Sequence, residues 1–350
     1  MTSSTQQLTA AICRKYKPVI IFVSKHYMHK HLLRLSLLLA IHHLLLTSVS
    51  AQQDAQYSMY RFNGLYINPA YAGSHEVLSA SAIYRNQWVK MPGAPQSTSV
   101  ALHSPIKNNR IGLGLIYSYD QIGVTKNNSI NASFAYRIPI GKKKKVKLAI
   151  GLSAGVANYR ADFNSVATTQ ANDPNFSGNN QNRWLPNFGF GIYIYSDKFF
   201  VGASLPHMLL NRLNGKNSVF ETSPDIARQY YHLLVTGGYV FSLGKKVKFM
   251  PSVLFKYVPV HAPVTFDFNA TFIFVDRLWL GAAYRLNDSY NFMAAVNITK
   301  QLRVGYAYDL AVSPLRQYTS GSHEVMLGFD FNFQRGKVVS PRYVKYFQNP

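Results

Sequence analysis

Beyond Cys13 the chain has no cysteine. That excludes disulfides, a cysteine nucleophile and thiolate metal sites from everything downstream. It also excludes a lipid-modified amino-terminal cysteine as the anchor of a processed chain. Acidic residues are scarce, 14 against 37 lysines and arginines, for a net charge of +23 over 350 residues. Charged residues of both signs make up only 15%, whereas an ordinary soluble domain carries roughly a quarter. Long apolar runs are also missing. No segment beyond the leader offers about eighteen consecutive apolar residues, so no spanning helix is predicted. A chain of this kind that crosses a membrane does so as a closed barrel, because lipid satisfies no open sheet edge.

Recognisable chemistry is equally thin. His207, His232, His261 and His323 are scattered without metal-ligand spacing. Asp162 and Asp173, in the polar stretch 160–186, lack the spacing of a calcium loop. No compact serine–histidine–acid arrangement is present. The reading is therefore of a non-enzyme with no catalytic, cofactor-binding or metal-binding residues. The positive charge invites a nucleic-acid partner, but the leader alone carries Arg14, Lys15, Lys17, Lys25, Lys30 and Arg34 without an acid. The rest is spread over turns and not gathered on a helix, so no nucleic-acid partner is expected.

What the chain does have is aromatic residues, with Tyr 24 and Phe 22. They sit in an alternating pattern. Val325, Leu327, Phe329, Phe331 and Phe333 alternate with Glu324, Met326, Gly328, Asp330 and Asn332. Leu278, Leu280, Ala282, Tyr284 and Leu286 alternate with Gly281, Ala283 and Arg285. Alternate side chains of a strand point to opposite faces. One face is apolar and aromatic; the other is small, polar or cationic, which suits a crowded wet lumen better than the outside of a soluble sandwich. Counting such runs predicts an all-β fold, a transmembrane antiparallel barrel of about fourteen strands of roughly nine to eleven residues each. The predicted spans are 77–85, 98–104, 111–119, 129–138, 146–157, 187–195, 198–205, 230–242, 247–257, 264–275, 278–286, 290–299, 302–309 and 322–333.

The flanks complete the domain plan. Residues 1–51 form a leader with a signal peptide. Lys30 and Arg34 precede the apolar run Leu35–Leu46, and Val49-Ser50-Ala51 fits a small-residue cleavage site. The signal begins so late that Met28 is the expected translation start. Residues 52–76 form a periplasmic amino-terminal segment and candidate plug, 77–333 the barrel, and 334–350 a periplasmic tail.

Alternate connections are tight and basic: Lys107–Arg110, Gly141–Lys145, Ser196–Lys198, Gly244–Lys246, Asp276-Arg277 and Lys300-Gln301. The others tend to be longer, notably 158–186 and 206–229. Short turns lie on the periplasmic side of such barrels and longer loops outside. Lys142, Lys143, Lys144, Lys145, Lys245 and Lys246 then form a basic periplasmic rim. Such a rim either docks an acidic partner or headgroups, or simply keeps hairpin tips solvated. Arg85, Arg137, Arg285 and Arg303 share the inward phase. They either line a pore or hold a plug, or are neutralised in place by Asp267, Asp309, Glu324 and Asp330. The glycines of Gly112-x-Gly114, Gly189-x-Gly191 and Gly237-Gly238 sit inside strands with no helix following, so they form no phosphate loop. They are expected to relieve crowding in the lumen.

The stretch Phe62-Asn63-x-Leu65-Tyr66-Ile67-Asn68-Pro69-Ala70-Tyr71-Ala72-Gly73 resembles the amino-terminal signature of the PorP/SprF family, outer-membrane proteins of the Bacteroidetes type IX secretion system. So do Tyr84-Arg85-Asn86-Gln87-Trp88, Gly93-Ala94-Pro95, Gly281–Ser289, Gly305-Tyr306-Ala307-Tyr308-Asp309 and Gly321–Gly328. The resemblance covers essentially the whole processed chain, in order. It implies a non-enzymatic secretion component in the outer membrane. Such a component supports export or surface attachment of a cognate secreted protein, such as an adhesin used in gliding motility, by holding its C-terminal sorting domain. The implied partners are outer-membrane lipid, that secreted protein and other type IX components. Asn68, Pro69, Ala70, Tyr71 and Gly73 read as a turn that tucks the amino-terminal segment against or into the periplasmic mouth. Arg85, Asn86, Gln87 and Trp88 leave the first strand for an outer loop. There Trp88 either anchors at the headgroup level or contacts the secreted partner. Read without the resemblance, the same barrel also admits a general diffusion porin or small-solute channel.

Overall fold

The computed structural model describes residues 55–106, 109–141, 145–165, 181–209, 211, 231–258 and 264–331. The leader, Lys142–Lys144 and the carboxy-terminal tail lie outside the described residues. The strands are β1 Leu78–Asn86, β2 Gln96–Ile106, β3 Ile111–Ile122, β4 Thr125–Ile140 and β5 Val146–Ala161. They continue with β6 Gln181–Tyr195, β7 Phe199–Leu205, β8 Leu233–Tyr239, β9 Phe241–Ser242 and β10 Val247–Tyr257. The last are β11 Thr265–Phe274, β12 Leu278–Arg285, β13 Ser289–Asn297, β14 Leu302–Ala311 and β15 Ser322–Phe331. All pairings are antiparallel between neighbours, and β15 returns to β1 from Leu78↔Phe331 to Asn86↔His323. The sheet is thereby closed and has no free edge.

Fifteen segments make fourteen staves, because β8 and β9 both pair with β10 in one continuous register. Their break has a chemical cause. That register sets Pro251 of β10 opposite Tyr239. Proline has no N–H to return to the ladder, and the stave is interrupted at Val240, although on its other side Val240 N–H keeps register with the β7 ladder and donates to Lys198 O at 2.6 Å.

Side-chain phase agrees with the alternation in the sequence. On β15 Val325 and Leu327 are 45% and 51% exposed, while Glu324 and Met326 are 0% and 1%. The apolar outer face is the lipid-facing one. The buried core lies inside the lumen, where Tyr57, Met59, Tyr60, Phe62, Leu65 and Tyr71 meet the inward residues of the wall.

Two expectations about lengths are corrected. Staves are not all nine to eleven residues: β4 and β5 have 16 and β6 has 15. Their extensions keep pairing, from Thr125↔Ala161 on one side of β5 to Ala161↔Gln181 on the other. Residues 158–161 and 181–186 of the expected loop 158–186 are therefore strand, while 166–180 lie outside the described residues. At the same end, β3 and β4 are joined by Gly123-Val124 alone, with Gly123 at φ +55. Connections at that end are thus of mixed length. At the opposite end, where β1 begins and β15 stops, the described connections are all short. The two ends are called the loop end and the turn end below.

Candidate functional site: a plug held inside the barrel

Residues 55–77 run down the lumen. Three short turns compact them: a 3-10 turn Tyr60–Phe62, one α-helical turn Gly64–Ile67 and a 3-10 turn Pro69–Tyr71. Asn68 starts the last one as an N-cap. Its Oδ1 accepts from Ala70 N–H at 2.9 Å, and Pro69 takes the first position, where a missing N–H costs nothing. The Asn68 amide also donates to Ile192 O at 3.0 Å, so one residue shapes the plug and ties it to β6.

The plug is anchored near both ends. Toward the loop end, Ser58 N–H and Met59 N–H donate to the two oxygens of Glu324 at 2.8 and 2.6 Å. Ser58 Oγ donates to Asp309 at 2.7 Å and accepts from Asn291 at 2.7 Å. Arg85 bridges the two acids, 2.6 Å from Asp309 and 3.1 Å from Glu324. Beside it, Arg285 pairs with Asp267 at 3.1 Å and Asp288 at 3.2 Å. Asn269 donates to Tyr60 OH at 3.0 Å. Toward the turn end, Arg137 donates to Ala72 O at 2.9 Å and to two wall carbonyls, Asn109 O and Ile111 O, at 2.7 and 2.8 Å. Gly73, at φ +68, donates to His103 Nδ1 at 3.2 Å. Glu76 forms an ion pair with Lys147.

The four inward arginines therefore have three kinds of partner. Arg85 and Arg285 meet the expected carboxylates. Arg137 binds carbonyls of wall and plug. Arg303 bonds Asn297 Oδ1 at 2.9 Å and lies over the rings of Trp279 and Phe62, 4.8 and 5.4 Å from their centroids. Asp330, the fourth expected acid, faces His75 instead.

Wall glycines mark where the plug touches. A Cβ at Gly151 would overlap the backbone of Ala70, and one at Gly112 would overlap the carbonyl of Ala72. Gly191 faces Asn68 in the same way. Crowding is real at these glycines, and its source is the plug. Ser58, Met59, Glu76 and Gly151 were not singled out by the sequence. The only signal they carry is that Gly151, like Gly112 and Gly191, lies on the inward phase of its strand.

The expected motif residues divide between lumen and rim. Asn68, Ala70 and Tyr71 are buried with Pro69 against the wall, and the charge of Arg85 is taken up by Asp309 and Glu324. Asn86 ends β1, paired across to Gln96 and His323. Gln87 N–H donates to Pro95 O at 2.9 Å. Trp88 stands half-buried at the loop end at φ +50, its N–H donating to Ser322 Oγ at 3.1 Å. Lys145, Lys245 and Lys246 are exposed at the turn end.

This is a closed antiparallel barrel with an apolar outer face and a lumen filled by its own amino-terminal segment, the architecture of a bacterial outer-membrane protein. The sequence pattern of the PorP/SprF family, type IX secretion system membrane proteins, matches residues 49–329. The chain belongs to that family, and it is an outer-membrane component of type IX secretion. No curated protein sequence matches it. Among solved structures, the chain is similar to the CymD monoaromatic hydrocarbon channel at 11% identity and TM-score 0.47, covering 77% of this chain and 93% of that one. A FadL homologue of Pseudomonas aeruginosa gives 12% identity, TM-score 0.42 and coverages of 81% and 96%. Outer membrane phospholipase A from Escherichia coli gives 9%, 0.35, 74% and 98%.

Proposed function

We propose that this barrel is a non-enzymatic support for the export or surface attachment of one cognate secreted protein, such as an adhesin, and that it holds that protein's C-terminal sorting domain at the loop end. In this reading the loop end faces outward. The basic turn end, with Lys145, Lys245 and Lys246, faces the periplasm and other type IX components. The lumenal plug is the observation that carries it. Residues 55–77 meet wall residues of nearly every stave, from Glu324 and Asp309 to Asn269, Ile192 and Gly112. A lumen occupied in this way serves binding at its rims better than passage of solutes, which weighs against the diffusion-porin alternative.

Two measurements test the proposal. In planar bilayers the purified chain is expected to give no large stable conductance; a steady open pore would favour the porin. Isolation of a tagged chain from outer membranes is expected to recover a secreted protein bearing a sorting domain together with type IX components. Recovery of neither would refute it.

A further inference from the structure

A cavity of about 110 Å³ lies at the loop-end half of the lumen, between the head of the plug and the wall. Its position follows from its lining: Asp120 near the end of β3, Asn127 near the start of β4, and Pro206 just past β7. The wall side is hydroxyl and amide, with Ser118, Ser129, Asn131, Ser133 and Ser153. On the plug side are the rings of Tyr57, Tyr60 and Tyr66. Ile116, Leu65, Leu234 and Leu254 add an aliphatic corner.

Three properties define what fits. The lining includes one carboxylate, Asp120, and one ammonium, Lys256, with the imidazoles of His207 and His232 beside them, so it selects no strong net charge. Gln56 Nε2 and Asn127 Oδ1 are buried with no hydrogen-bond partner, one a donor and the other an acceptor. Buried polar groups are as a rule paired. A peptide group offers one acceptor and one donor, the complement of this pair. The aliphatic corner then suits an apolar side chain beside it, which a sugar ring would leave unused.

We infer that this cavity is a binding site for an uncharged stretch of polypeptide presented from the loop end, taking one apolar side chain and the peptide groups that flank it. The inference rests on the reading that a partner protein meets the barrel at that end. Gln56 and Asn127 are the hydrogen-bonding pair, and the tyrosines of the plug form the second wall. The plug is thereby part of the recognition surface as well as a seal.

The capped peptide acetyl-Ser-Leu-Gly-amide, titrated into the full chain in detergent micelles and followed by saturation-transfer NMR, tests this. Transfer to the leucine methyl groups is expected. Half-saturation should rise about tenfold in the double variant Gln56→Ala, Asn127→Ala while the folded barrel keeps its heat-modifiable gel mobility. Methyl glucoside should show no comparable transfer. Equal binding of the glucoside would make this a carbohydrate site, and absent or variant-insensitive peptide binding would overturn the inference. Should the variant fail to fold, a benzophenone form of the peptide photo-crosslinked to the unaltered chain decides. Adducts on the lining, within 55–69, 116–133, 153–157, 206–207 or 232–256, support the site, and adducts elsewhere refute it. Peptide binding without recovery of type IX components would keep the site and reject the functional reading; the reverse would do the opposite.

Discussion

Arg85 shows how single residues hold this lumen together. It is 2% exposed and sits between Asp309 and Glu324, while Glu324 also accepts two plug N–H groups. Removing one partner of a buried ion pair typically costs about 3–5 kcal/mol, because the other charge is left uncompensated. Arg85→Ala is therefore expected to lose stability of that order in urea unfolding of the barrel in micelles. Glu324→Gln, which keeps one acceptor, should lose less. Equal stability of Arg85→Ala and the unaltered chain would show that the network is not an anchor. Gly151 makes a steric test of the same interface. Its Cβ would overlap Ala70, so Gly151→Val should unseat the plug. Trypsin would then cleave after Arg61, which is 8% exposed when seated. Continued protection of Arg61 would mean that the wall gives way instead.

At the scale of elements, the stave formed by β8 and β9 is one where the ladder is interrupted. Pro251 withholds a hydrogen bond at the Tyr239 pair. Pro251→Ala should restore it and add about 1 kcal/mol. The amide introduced at position 251 should then exchange with deuterium as slowly as its β10 neighbours; fast exchange there would place the cause of the break elsewhere. The plug itself is an element built from turns. Its helical pieces are three or four residues long, too short to persist alone, since isolated helices need about twelve residues or more. Its conformation is held by the wall, and the wall's inward glycines are shaped for it. Much of this was legible in the chain: the phase of each strand, the tight basic turns, and Asn68-Pro69 as a turn start. The lengths of β4, β5 and β6 were not. Their extensions do not alternate: residues 125–128 are polar on both faces and residues 184–186 apolar on both, so the signal of a half-lipid-facing strand fades while backbone pairing continues.

For the whole molecule, sidedness is the property with the widest consequence. The chain has no cysteine after Cys13, so single-cysteine variants made with Cys13→Ser report cleanly. Lys90→Cys at the loop end should react with a membrane-impermeant maleimide on intact cells. Lys245→Cys at the turn end should react only after the outer membrane is opened. The reverse pattern would invert the proposed orientation and move the peptide site to the periplasmic side.

By itself the sequence determined that this chain is a barrel, about how many staves it has, which face of each meets lipid and which family it resembles. Those features are local: alternation, turn chemistry and short motifs are written within ten or twenty residues of chain. Only the tertiary structure decided that the amino-terminal segment fills the lumen from loop end to turn end, well beyond the mouth where its turn residues alone would place it. It also decided which arginines pair with acids and which bind carbonyls or rings. Ser58 and Glu324 are 266 residues apart, and nothing local to either one names the other. They meet because the sheet closes, β15 on β1, and brings inward side chains from the two ends of the chain to one place.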